Sequence, residues 1–305
     1  MAAKPSKTSW QDWLLFGHFW IALAAAGLAW TTAFLSHGKG QLSYLYLLIL
    51  LGTLALYSWH RIFSFARKGA QTQRARYRLV ANYPQLSRSL AVLASLSSLL
   101  LLFLLEEVPS PLVLSIGLII GLGYVVPLGK NHNGLLRRSY FKPLVVAGGW
   151  TLITAYLPLH YAGELPTGFN LYLVLIERFL FSLTVALCFD WRDRKVDRQQ
   201  GIKTLAQQPL SWSKTAAYIS LGGAIACCLM LIKGEYWGLY AATMLFSYPI
   251  GFALIYFLGR WQSDYSFAWL YNGLLALPPF FIWCIIWIPW FKEFALSLIY
   301  MIRLL

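Results

Sequence analysis

The sequence predicts an all-α polytopic membrane protein: one domain over residues 1–305, built as a bundle of about nine transmembrane helices around a central cavity. Three observations predict it. The chain is 59% hydrophobic and only 12% charged, where a soluble domain carries about 25% charged residues. Its apolar residues fall in blocks of the length that crosses a hydrocarbon core, about 20 residues each. Its basic residues, which give a net charge of +14, lie in the short connections between those blocks. That placement is the signature of membrane orientation rather than of nucleic-acid binding, so no nucleic acid is expected as a partner.

The blocks are 13–35, 42–63, 86–105, 109–128, 143–161, 170–189, 213–233, 236–258 and 266–289. The first, Trp13 to Leu35, follows Lys4 and Lys7, but it exceeds a signal-peptide core and precedes further spans. It reads as a retained helix. The apolar stretch from Trp290 to Leu305 is short, and it lies in the interface or extends the last helix. Cys188, Cys227, Cys228 and Cys284 all fall inside apolar blocks without a C-x-x-C pair, which argues against zinc and redox roles.

Nine spans with a cytoplasmic N-terminus put the second, fourth, sixth and eighth connections in the cytoplasm. Twenty of the 25 Lys and Arg residues then lie on that face, against four (Lys39, Lys233, Lys292 and Arg303) on the other. The asymmetry predicts a multi-pass protein with its N-terminus inside, in the inner membrane if the cell is bacterial. Glu106, Glu107, Glu164 and Glu235 favour the outer side, whereas Asp190, Asp193 and Asp197 interrupt a basic cytoplasmic segment.

If the sixth span continues as helix beyond the membrane, positions 190, 193 and 197 share one face. Carboxylates so close repel one another, and a divalent cation relieves the repulsion. Mg²⁺ prefers oxygen ligands divided between carboxylates and phosphates. Arg194, Lys195, Arg198 and Lys203 can meet phosphate oxygens that the metal leaves uncovered, and Gly201 is a helix stop. The site then suits a Mg²⁺-bound diphosphate at the membrane surface. The other reading of the same spacing is a solvated helix end laced by ion pairs such as Asp190 with Arg194.

The run Asp193-x-x-x-Asp197-Arg198-x-x-Gly201-x-x-Thr204-Leu205 resembles the second aspartate-rich motif of the UbiA superfamily of intramembrane prenyltransferases. Tyr124-Val125-Val126-Pro127, Arg137-Arg138 and Lys142-Pro143 are similar to a second region of that family. The resemblance implies Mg²⁺ as cofactor, a prenyl diphosphate as donor, and a lipid-soluble or aromatic acceptor in the membrane. It implies catalytic and metal roles for Asp190, Asp193 and Asp197. Diphosphate contacts fall to His60, Arg61, Tyr124, Arg137, Arg138, Lys142, Arg194, Arg198 and Lys203. The family's first motif, an Asn-Asp-led run of aspartates after the second helix, has no counterpart here. Its place holds Ser58, His60, Arg61, Ile62 and Ala66, and no acidic residue occurs between Asp12 and Glu106. Instead the region is basic: Arg61, Arg67, Lys68, Arg74, Arg76 and Arg78. Two outcomes fit: a half-metal site whose arginines face the phosphate directly, or a protein that binds an isoprenoid without chemistry.

Glu177 and Arg178 lie inside the sixth span, as a functional pair or a mutually satisfied one. His60 reads as a phosphate contact, a base or an interfacial structural residue. Tyr271 and Asn272 read as cavity or packing contacts.

Overall fold

The computed structural model describes residues 8–37, 43–68, 74–105, 111–125, 141–161, 168–199, 203–234, 237–261 and 263–304, and among these it contains helices and no strand. The helices are α1 (Phe19–His37), α2 (Tyr44–Lys68), α3 (Arg78–Asn82), α4 (Pro84–Leu104), α5 (Pro111–Val125), α6 (Lys142–Thr151), α7 (Leu157–Tyr161), α8 (Phe169–Gln199), α9 (Leu210–Lys233), α10 (Gly238–Phe257), α11 (Asp264–Ser266), α12 (Asn272–Trp287) and α13 (Pro289–Leu304). Each apolar block of the sequence contains helix. Among the described residues, six helical segments are long and apolar enough to cross a membrane: Tyr44–Ala66, Pro84–Leu104, Phe169–Lys195, Leu210–Lys233, Gly238–Phe257 and Asp264–Trp287. Phe19–Phe34 and Val113–Gly123 are apolar but shorter. The block 143–161 is not one regular helix, because a π-helical turn at Leu152–Tyr156 separates α6 from α7. The apolar tail forms its own helix, α13, after the break at Ile288, and Arg303 Nε donates to the Ile232 carbonyl of α9 at 3.0 Å.

A helix satisfies its own backbone groups, which is what lets it sit in lipid. The outer surface matches that solvent. On α4, Leu93, Leu96, Leu100 and Phe103 are all exposed, Phe103 at 84%. Apolar surface this continuous is not left facing water.

The helices pack in a closed circuit: α2 on α1, α1 on α12, α12 on α10, α10 on α9, α9 on α8, α8 on α6, α6 on α5 and α5 back on α2, with α4 against α2. Small residues bring neighbours close. A Cβ on Gly27 of α1 would stand 3.0 Å from Pro279 of α12.

Inside this apolar packing, Glu177 and Arg178 are fully buried on α8. They form a mutually satisfied group. Arg178 Nε lies 3.8 Å from Glu177 Oε2. Tyr240 and Tyr248 donate to the Glu177 carboxylate at 2.5 and 2.6 Å, and Arg178 Nη2 donates to Tyr240 Oη at 2.9 Å. The π-helical turn completes the set. Pro158, four residues on, has no N–H to give the Thr154 carbonyl, and Thr154 O accepts from Arg178 Nη1 at 3.1 Å and from Thr32 Oγ1 at 2.8 Å. One irregular turn thus ties α1, α6 and α8 together.

Arg178→Met strands the Glu177 carboxylate and should lower stability by about 3–5 kcal/mol. Tyr248→Phe removes one donor and should cost about 1–3 kcal/mol. Denaturation midpoints of the detergent-purified protein measure both, and an Arg178→Met variant as stable as the parent would contradict this account.

Candidate functional site

α8 runs unbroken to Gln199, so Asp190, Asp193 and Asp197 stand on one face of it. All three line a cavity of about 230 Å³. The cavity sits where one end of each of several helices meets: the end of α2, the starts of α1, α6 and α12, and the end of α8. Gly117, Gly121 and Gly149 also line it. A Cβ on Gly121 would stand 3.1 Å from Leu56 and one on Gly149 3.4 Å from Ile120, so bare backbone there lets α2, α5 and α6 approach while space remains between them.

Each carboxylate is met by a cation of the chain itself. Pro143 at the second position of α6 favours a helix start, which puts Lys142 in its first turn. The Lys142 ammonium is buried between two carboxylates, 2.8 Å from Asp190 Oδ1 and 2.7 Å from Asp197 Oδ2. Asp193 takes two guanidinium groups. Arg76, on the turn Ala75–Tyr77, donates from Nη1 at 2.6 Å, and Arg192 donates from Nε at 3.1 Å and from Nη2 at 3.0 Å. Arg192 is held flat over Phe189, 4.6 Å from the ring centre. Burial alone would make Arg76 easier to deprotonate, but Asp193, with Tyr77 and Asp264, holds it more firmly charged than an ordinary arginine.

The segment that carries Arg76 is itself pinned. Arg78 Nη1 donates to Asp12 Oδ2 at 3.3 Å and to Tyr265 Oη at 3.2 Å, and Tyr265 donates to Asp12 Oδ1 at 2.5 Å. Although burial of Asp12 opposes ionisation, these partners and Ser9 keep its carboxyl below the usual range. The N-terminal segment, the connection after α2 and α11 are thereby joined beside the cavity.

Arg61 and His60 enter the same cavity from α2. The Arg61 guanidinium lies 5.1 Å from the Tyr77 ring centre. Among the described residues no hydrogen bond or ion pair reaches it, and its Nε is buried without a partner. The lining therefore gathers the three carboxylates with four cationic side chains: Lys142, Arg76, Arg192 and Arg61.

Other residues singled out in the sequence lie elsewhere. Arg194 was expected to face phosphate or to pair with Asp190. Its guanidinium instead stacks on Trp191, 3.8 Å from the ring centre, and donates to the Trp191 carbonyl at 2.8 Å. Arg198 and Lys203 are exposed and do not line this cavity. Arg137 and Arg138 lie outside the described residues, as does the side chain of Tyr124. Of the ninth-span pair, Tyr271 packs inside and donates to the Leu254 carbonyl at 2.9 Å, while Asn272 lines the cavity with a buried Oδ1 that has no partner among the described residues.

The sequence reading missed His18. It lines the cavity, its Nε2 is buried without a partner among the described residues, and its φ is +69°. That left-handed backbone costs on the order of 1–3 kcal/mol in a residue with a side chain, and such strain gathers at functional sites. The only sequence signal was the pair Gly17-His18 inside an otherwise apolar block.

As arranged, these residues do not fit Mg²⁺. A metal ion between Asp190 and Asp197 would have to displace the Lys142 ammonium, and one at Asp193 would meet Arg76 and Arg192. Among the described residues, no set of three or more His, Cys, Asp and Glu side chains is grouped to hold a metal. The lining sets four cationic side chains against three carboxylates, and Arg61 makes no ion pair among the described residues, an arrangement that attracts anions more than cations.

No protein-family model matches the chain, and neither a curated protein nor a solved structure is significantly similar to it. A functional reading therefore rests on the cavity and on the sequence motif.

Lys142→Met buries two uncompensated carboxylates and should destabilise the protein by about 3–5 kcal/mol when measured in EDTA. Adding Asp190→Asn and Asp197→Asn removes the stranded charges and should recover most of that loss. Equal denaturation midpoints for the parent and the single variant would show that Lys142 does not hold these carboxylates.

Proposed function

We propose that the protein is a UbiA-like intramembrane prenyltransferase, a bundle of about nine spans whose cavity takes a prenyl diphosphate and passes the prenyl group to an acceptor in the membrane. The observation that carries this reading is the composition of the cavity lining. Arg61, Arg76, Lys142 and Arg192 line the cavity together with the three carboxylates, and Leu56, Ile120, Val146, Leu152 and Ile153 line it as well. Such a space matches a molecule with an anionic head and a hydrocarbon tail. The resemblance of the run from Asp193 to Leu205 supports the same substrate class.

In this reading the bond between the first prenyl carbon and the diphosphate oxygen breaks, and the diphosphate leaves with the electron pair. Guanidinium and ammonium groups fixed where that charge develops lower the barrier. The acceptor nucleophile then bonds to the prenyl carbon and gives up its proton. His60, in the same cavity, is the residue placed to take it. Ser58 stands where the family has asparagine, and Ile62 and Ala66 where it has aspartates, so the leaving-group charge falls to side chains of this chain.

A second reading, a non-catalytic isoprenoid-binding membrane protein, is favoured by one observation: Asp190, Asp193 and Asp197 are all engaged in ion pairs. Incubating the purified protein with a radiolabelled prenyl diphosphate and candidate acceptors separates the readings. Binding with diphosphate release supports the transferase, binding without release supports the carrier, and no binding contradicts both.

The proposed orientation places Lys203 in the cytoplasm and Lys233 outside. Both are exposed, and the four native cysteines are buried. Single cysteines introduced at these positions should label from opposite sides of sealed vesicles. Labelling of both from one side would overturn the topology.

A further inference from the structure

The clearest disagreement between the cavity and the motif it resembles is the identity of the charge between the carboxylates. Where a metal-dependent diphosphate site needs carboxylates open to a divalent ion, this chain puts a lysine ammonium between Asp190 and Asp197, at 2.8 and 2.7 Å. Asp193 is closed by Arg76 at 2.6 Å and by Arg192 at 3.0 Å. Those ion pairs come from three separate parts of the chain, so they are a property of the fold rather than of one helix face. Arg61 adds a guanidinium with a buried, unpartnered Nε in the same cavity. The stretch from Trp13 to Leu105, which supplies Arg61 and Arg76, contains no acidic residue at all. An added divalent cation would meet an ammonium or a guanidinium at each of the three carboxylates. An added anion would find Arg61, which makes no ion pair among the described residues, and two more guanidinium groups that already present N–H groups to a carboxylate.

We propose that this cavity binds the diphosphate head of its isoprenoid ligand without a divalent metal. Lys142 stands in for the ion between Asp190 and Asp197, and Arg61, Arg76 and Arg192 grip the phosphate oxygens directly. The proposal rests on the prenyl-diphosphate reading above and adds to it the means of recognition. It also reassigns the aspartates: they hold the cations in place and make no contact with the ligand through a metal. Asp193 in particular competes with the diphosphate for Arg76 and Arg192.

That competition gives the test its sign. Binding of radiolabelled farnesyl diphosphate to the detergent-purified protein is measured in EDTA and again with excess Mg²⁺. The affinity should be unchanged or weaker with Mg²⁺, because the metal lowers the charge of the free ligand. Asp193→Asn, a substitution of equal size, should bind as tightly as the parent or more tightly, since it releases two guanidinium groups. Arg61→Gln should weaken binding by about tenfold to a hundredfold in EDTA. Binding that requires Mg²⁺, or that is lost in Asp193→Asn, would overturn the metal-free proposal and leave the prenyl-diphosphate reading standing. So would an Arg61→Gln variant with the parent's affinity. Absence of binding under both conditions would overturn the two together.

Discussion

The Lys142 ammonium between Asp190 and Asp197 is the contact on which the candidate site depends. Two buried carboxylates two helical turns apart would repel each other and drive the end of α8 toward water. One ammonium within 2.8 Å of both makes it possible for that end to remain packed against α6. The same pairing closes the gap between carboxylates to other cations. Breaking it leaves charges that cost far more than the pair itself contributes, so the ion pair enforces an arrangement more than it stabilises the fold. With the carboxylates occupied, the described lining carries one cationic side chain more than it has carboxylates, which is the charge the proposed anionic ligand would meet.

The same rule, that charge in an apolar bundle must be matched by geometry, governs the interior away from the cavity. Arg178 could not be buried beside Glu177 by that carboxylate alone, at 3.8 Å. It needs Tyr240 and the Thr154 carbonyl, which Pro158 leaves without its helical donor. Irregular backbone is tolerated at such depth where its freed groups find partners. Lys142, Arg76 and Arg178 all obey this pattern: each is buried, and each reaches across to a different helix.

Much of the helical layout was legible because hydrophobic length is a local property. The sequence puts residues 190, 193 and 197 on one face only on the condition that the sixth span continues as helix, and α8 does run on to Gln199. Partners were less legible, since they depend on which helices meet. Lys142 was assigned to phosphate by its place beside Pro143, yet its neighbours are set by the packing of α6 on α8, which no local spacing encodes. Arg194 stands one turn from Asp190, but the Trp191 ring and carbonyl are nearer and take the guanidinium. The break at 152–156 is flanked by Gly148, Gly149 and Pro158, breakers that the apolar length of the block masks, and the left-handed backbone of His18 follows a glycine that could itself have taken the turn. Arg76 was visible as one of several basic residues, but only the latch of Asp12, Arg78 and Tyr265 explains why it is the one brought to Asp193.

The most direct measurement of the central claim is an experimental density map of the protein prepared in Mn²⁺, whose electrons distinguish it from water. A self-neutralised site predicts continuous density for Lys142 reaching between Asp190 and Asp197, with no metal peak within coordination distance of either carboxylate. A Mn²⁺ peak bound by Asp190, Asp193 or Asp197, with the Lys142 side chain turned away, would contradict it.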